Sequence, residues 1–205
     1  TNWNKQWESG FQPVQVGNFA MVRASFHQKV DTILYDIIIN PKMSFGTGHH
    51  ATTYMMIEQM SEIDFNEKEV LDYGAGTGVL AILAKKMNAL LVTAVDNDQW
   101  SIDNAKENFI LNDTPDILLN LSTVPSSKNQ YDIILANINK SVILRFLPLF
   151  SLMLREKGVL LISGILEEDV EDLAVAAQTN RLKITIIKQK SEWILLQLVH
   201  SSFIA

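Results

Sequence analysis

The amino-acid sequence predicts an α/β fold: a mostly parallel sheet with helices on both faces, ending in an antiparallel hairpin. Three observations predict it. From residue 69 onward, runs rich in Val, Ile and Leu alternate with segments of helical period; a glycine-rich turn follows the first of those runs; and the last two apolar runs are separated by only Lys190, Ser191 and Glu192. Strands that alternate with helices pair in parallel through right-handed crossovers. So short a connection joins only antiparallel neighbours.

Each element follows in order. VQVGNFAMVRA has the turn formers Gly17 and Asn18 between two alternating runs, and ILYDIIIN is a short β-rich run, so the stretch up to residue 45 should hold a hairpin and a strand. At Ala51 the pattern turns helical, with Met56, Met60 and Ile63 recurring on one face. EVLDYG, LLVTAVD, DILLNLS, YDIILAN and KGVLLISG then read as buried strands. Helix-period segments lie at 77–87, 99–111, 139–154 and 167–179. KITIIKQ and WILLQLV form the closing hairpin at the sheet edge. In such sheets ligands bind at the carboxyl ends of the strands, near the point where strand order reverses.

Composition narrows the function classes. With 205 residues, 47% apolar and 20% charged, the chain has the make-up of a globular protein with a substantial core. Lys and Arg number 17 against 23 Asp and Glu, and the net charge of -6 offers no general attraction to nucleic acid or an anionic membrane. Cys is absent, which removes disulfides and thiolate metal sites. TNWNKQWESG carries no apolar signal region, and no run reaches the roughly 18 apolar residues of a membrane helix. Cytoplasmic residence is the expectation.

VLDYGAGTGVLAIL, residues 70–83, carries the strongest chemical signal. A strand runs into Asp72, glycines fall at 74, 76 and 78, and a helix begins. Glycine allows positive φ and close approach of a ligand to the backbone, and the helix start offers free N–H groups. An adenosine-containing cofactor suits such a loop. The dinucleotide fingerprint needs its third glycine where Val79 stands. The spacing here, Asp-x-Gly-x-Gly-x-Gly, resembles motif I of the class I S-adenosylmethionine methyltransferases, whose loop packs on the methionyl part of the ligand. That resemblance implies a Rossmann-like, seven-stranded sheet. Asp96, at the end of the next strand, can take both ribose hydroxyls as a bidentate acceptor. It can also be read as a helix N-cap, a job open to Asp98 as well.

MSFGTGHHATT, residues 43–53, fits no common catalytic pattern. Adjacent His49 and His50 point apart on a helix, with no carboxylate at ligand spacing, so no metal is expected. A phosphate loop would place Lys after the second glycine, and a nucleophile elbow would read Gly-x-Ser-x-Gly. Neither is present. Asn-Trp-Asn-x-x-Trp at 2–7, Pro-x-Met-Ser-Phe-Gly-Thr-Gly-His-His-x-Thr-Thr at 41–53, the glycine loop, Val-Asp-x-Asp at 95–98 and Ala-Asn-Ile at 136–138 resemble the PrmA family. These are methyltransferases of ribosomal protein L11, and the resemblance covers essentially the whole chain.

The resemblance implies S-adenosylmethionine as cofactor, with Thr53, Gly74, Gly76, Asp96 and Asn137 as binding positions. It makes residues 43–53 a loop over the methionyl end, where Phe45 would cover the cofactor and Thr53 would meet its amino-acid end; a capping Thr53 is the plainer alternative. Residues 1–45 become an N-terminal linker and hairpin or lid segment, and residues 46–205 the catalytic domain. In the family a small substrate-recognition domain precedes that linker. The partner implied is ribosomal protein L11, free before assembly, with neither membrane nor direct nucleic-acid contact.

YDIILANINK puts Asn137 at the end of the fourth parallel strand, next to the expected methyl position, as the candidate catalytic residue. A carbonyl there can accept from an incoming amine and aim its lone pair in line with the methyl. Asn137 could instead cap the following helix. Base and glutamine methyltransferases carry Asn-Pro-Pro-Tyr at this point, whereas this chain has Asn-Ile-Asn-Lys and so lacks a platform for a flat base. A lysine amine of pKa ~10.4 is neutral about once in 2,500 at pH 7, a handicap of ~4.6 kcal/mol, and an α-amine near ~8 faces much less. Family members methylate both. Rival readings are a methyltransferase for another amine, a SAM-binding module without catalysis, and an NAD-binding protein.

Overall fold

The computed structural model describes residues 13–40, 51–124 and 129–202. The Trp pair at 3 and 7 and the stretch 43–50 lie outside them. Ten strands and five helices run in the order β1 (Val14–Val16), β2 (Ala20–Arg23), β3 (Tyr35–Ile38), α1 (Ala51–Met60), β4 (Glu69–Tyr73), α2 (Val79–Lys86), β5 (Leu91–Asp96), α3 (Gln99–Leu111), β6 (Leu118–Leu121), β7 (Tyr131–Asn137), α4 (Lys140–Met153), β8 (Leu154–Leu166), α5 (Val170–Thr179), β9 (Leu182–Lys190) and β10 (Trp193–His200) among the described residues.

Seven strands form one sheet in the order β6-β5-β4-β7-β8-β10-β9. All neighbours up to β8 pair in parallel, and β10 pairs antiparallel with both β8 and β9. Strand order reverses between β4 and β7, which puts the expected ligand crevice over their carboxyl ends. The two faces of the sheet bury separate cores. Met55, Met56 and Met60 of α1, Leu80 and Leu83 of α2 and Phe109 of α3 fill one; Ile143, Leu147 and Phe150 of α4 with Leu173 and Ala177 of α5 fill the other. Among the described residues no helix is long and apolar enough to cross a membrane.

The N-terminal segment makes a small second sheet. β1 and β2 form the expected hairpin through Gly17 at φ +53, and β3 adds in parallel to β2. Arg23 clamps Asp36 with two charge-assisted hydrogen bonds of 2.7 Å, a planar fork matched to a carboxylate. Val16, Val22, Ile37 and Ile39 carry this sheet onto the same core that receives α1 and α2.

Departures from the sequence expectation have local causes. Glycines 76 and 78 both hold positive φ, so α2 starts at Val79 and not at residue 77. β8 begins at Leu154, and a register shift against β7 absorbs its extra residues before Val159 meets Ile133. The run 116–122 was expected as a buried strand. It shrinks to β6, which lies at the sheet edge and leaves Leu118 and Leu121 about half exposed, because it has a neighbour on one side only.

Candidate active site

At the reversal point the chain leaves β4 through Tyr73 into a turn that folds back on β5. The amides of Gly74 and Ala75 both donate to the Val95 carbonyl, at 2.8 and 3.0 Å. Gly74 sits at φ +76, and a Cβ added there would run into the side chain of Ile138. Only glycine fits on both counts. Beneath the turn Asp72 is 1% exposed and accepts from the Ala81 amide at 3.0 Å. Burial, with a smaller push from the Asp96 charge and against that bond, raises its pKa to about 7.

Asp96 ends β5 facing the same turn. Its Oδ2 accepts from the Gly76 amide at 2.8 Å and its Oδ1 from the Asp98 amide at 3.0 Å. A carboxylate has about four acceptor positions, so two remain for a ligand. The capping of α3 falls to Asp98, which accepts from the amide and hydroxyl of Ser101, each at 3.1 Å. Asp96 is therefore left to face the pocket.

The same division of labour recurs at the end of β7. Asn139 caps α4 by accepting from the Val142 amide at 3.1 Å, which frees Asn137 from that role. Asn137 Nδ2 donates to Thr53 Oγ1 at 3.1 Å. Thr53 lies inside α1, 1% exposed and behind Asn137, while its neighbour Thr52 faces the pocket. The last residue of the quartet, Lys140, turns away to Asp169 and Asp172 at 2.9 and 2.7 Å, and these carboxylates raise its pKa.

Between these groups lies a cavity of about 480 Å³, which Gly74, Gly76, Asp96, Asn137, Gly164 and Trp193 help to line. That volume is in the range of nucleotide-sized ligands. Asp96 and Asp98 make one end anionic. Around Asn137 the lining residues include Ile138, Val142, Gly164 and Trp193. Among the described residues no group of three His, Asp or Glu is placed to hold a metal ion. Four of the five sequence-derived positions, Gly74, Gly76, Asp96 and Asn137, thus line one cavity, and Thr53 supports it from the second layer.

Sequence reasoning did not find Gly164 or Trp193. Both were reachable from topology. Gly164 lies near the carboxyl end of β8, at φ +88, where a Cβ would strike the Ile138 carbonyl. Trp193 opens β10, the antiparallel strand next to β8, so its register partner is Leu166 at the ligand edge.

Comparison with known proteins agrees with this geometry. A family model described as ribosomal protein L11 methyltransferase (PrmA) matches residues 1–201. The chain is 38% identical over 204 residues to the ribosomal protein L11 methyltransferase of Porphyromonas gingivalis, spanning 98% of this chain and 70% of that protein. It is 45% identical over 177 residues to the same-named protein of Chlorobaculum parvum, spanning 82% of this chain and 60% of that one. The crystal structure of a ribosomal protein L11 methylase from Lactobacillus delbrueckii subsp. bulgaricus superposes with a TM-score of 0.86 at 26% identity, over 93% of this chain and 99% of that one.

Proposed function

The chain belongs to the ribosomal protein L11 methyltransferase family, and from that premise we propose that it methylates L11 with S-adenosylmethionine, at lysine side chains and the α-amino group. The observation that carries the reading is Asn137 at the reversal point, its amide nitrogen committed to Thr53. Its carbonyl oxygen is left to accept a hydrogen bond from an incoming amine.

The cavity suits the cofactor end to end. Asp96, with two acceptor positions unspent, takes the ribose hydroxyls; the backbone of Gly74 and Gly76 packs on the methionyl portion; Thr52 in the first turn of α1 meets the amino-acid end, with Thr53 supporting it through Asn137. When bound, S-adenosylmethionine supplies an electrophilic methyl group on a sulfonium. Asn137 holds the amine so that its lone pair points at that methyl, a contribution made by positioning. Among the described residues, Asp96 and Asp98 are the carboxylates that line the cavity, both at its ribose end, so none of them serves as base beside Asn137. The amine proton leaves to water, and the apolar indole of Trp193 favours the neutral amine by desolvation.

In this reading residues 46–205 are the catalytic domain and residues 1–45 the linker and hairpin or lid segment. The enzyme acts in the cytoplasm on free L11, and the net charge of -6 gives nucleic acid no purchase. Mass spectrometry of purified L11 incubated with this chain and S-adenosylmethionine tests it. Increments of one methylene on lysine and the N-terminus are expected. An unmodified L11 in the presence of a chain that binds the cofactor would transfer the activity to another amine.

A further inference from the structure

Helix α3 carries Asn104 and Asn108, and its C-cap is Asn112, so that amides recur at i, i+4 and i+8 along one face. All three are buried, at 1%, 0% and 4% exposure, where a helix packed on a sheet ordinarily presents aliphatic groups. Asparagine is a poor helix former, and a buried amide is costly unless hydrogen-bonded. Partners account for Asn108 and Asn112, whereas Asn104 only accepts from Asn108 Nδ2 at 3.4 Å and its own Nδ2 is buried without a partner among the described residues. Asn112 accepts from the Ile38 amide at 2.8 Å and donates to the Ile38 carbonyl at 2.6 Å, pairing with the outer edge of β3 as a neighbouring strand would.

Asn108 does something different. Its Oδ1 accepts from the Asn40 amide at 2.8 Å, just beyond β3, while its Nδ2 donates to the Thr77 carbonyl at 2.9 Å. Thr77 lies between Gly76 and Gly78, in the turn that lines the cavity. One side-chain amide therefore spans the N-terminal sheet and the cofactor turn.

We infer that Asn108 is a positioning residue that couples the N-terminal sheet to the glycine turn, so that occupying the cofactor pocket tightens the Asn40 amide and releasing that amide weakens cofactor binding. The inference rests on the assignment of the pocket to S-adenosylmethionine. Reciprocity is obligatory, since a coupling free energy acts equally in both directions.

The test is amide hydrogen exchange at Ile38 and Asn40, followed by NMR with and without S-adenosylmethionine, together with calorimetric cofactor affinity. In the unaltered chain, cofactor should slow exchange at Asn40 severalfold. Asn108→Ala should abolish that response and weaken cofactor binding about tenfold, within the span usual for coupled sites. Asn108→Asp keeps the acceptor for Asn40 and loses the donor to Thr77, and should weaken binding similarly. Asn112→Ala should speed exchange at Ile38 while leaving affinity within about twofold, which separates coupling from general loosening. Exchange at Asn40 that ignores cofactor, or an Asn108 variant that binds as tightly as the parent, overturns the coupling alone. A parent chain that does not bind S-adenosylmethionine overturns the cofactor assignment as well, and shows it before any variant is made.

Discussion

The amide of Asn137 donates to the hydroxyl of Thr53 at 3.1 Å, joining the end of a central strand to the first turn of a helix 84 residues earlier in the chain. This bond fixes which way the Asn137 amide faces. With the nitrogen held, the oxygen is presented to the cavity.

Replacing Asn137 by Ala should therefore cut methyl transfer by about 10²-fold or more, the scale lost with a positioning contact at a reacting centre. Cofactor affinity should change far less. Thr53→Val, which removes only the anchor, should cost about tenfold in rate, near the worth of one neutral hydrogen bond. Single-turnover transfer measured beside calorimetric affinity checks both, and equal losses in binding and rate would refute the separation.

Asp96→Ala should be a binding defect. It removes the acceptors proposed for the ribose and releases the Gly76 and Asp98 amides, which the carboxylate now holds at 2.8 and 3.0 Å. Hydrogen bonds to a charged group are worth about 1.5–3 kcal/mol each, so cofactor affinity should fall by about 10² or more. Calorimetric titration reads it.

Gly74→Ala combines a φ of +76 with a collision against Ile138. A non-glycine residue in that region costs about 1–3 kcal/mol before any clash is counted. Urea unfolding should show a loss of at least that size, and cofactor affinity should fall with it. A variant as stable as the parent would mean that both the backbone of the turn and Ile138 shift to take the methyl group without cost.

Asp72 predicts an unusual pH dependence. Its carboxyl is raised from 3.8 to about 7, so between those values the folded chain holds a proton that the unfolded chain has lost. Stability from this group is fully present below pH 3.8 and is lost as pH rises to about 7. Its scale is about 4 kcal/mol. Asp72→Asn should flatten that slope in unfolding free energies measured from pH 4 to 8, while an unchanged slope would assign it to other groups.

Much of this architecture was legible in the sequence, and the reasons are local. Residues 99–111 form a helix within those bounds because Asp98 caps it, and the turn at 74–78 is legible because its backbone demands glycine. The closing hairpin follows from a connection too short for anything else. Choices between near-identical candidates were not legible. Asn137 and Asn139 are two residues apart and equally suited to cap α4, and only the fold assigns the cap to Asn139. Thr52 and Thr53 divide in the same way, one facing the cavity and one behind it. The amide stripe of α3 could not be read either, since its partners at Ile38 and Asn40 lie 74 and 68 residues away.

Strand β10 lies in the interior of the sheet, between β8 and β9, although it is the last of the described strands in sequence. On the ribosome, β4, β5 and β7 emerge first and can pair while synthesis continues, yet β8 keeps an open edge until Trp193–His200 arrive. The same residues bring Trp193 to the cavity wall. Order of synthesis thus acts as a timer: the pocket is completed only once Trp193 has been made, and a nascent chain interrupted before that point would expose an apolar strand edge to aggregation before it could transfer a methyl group.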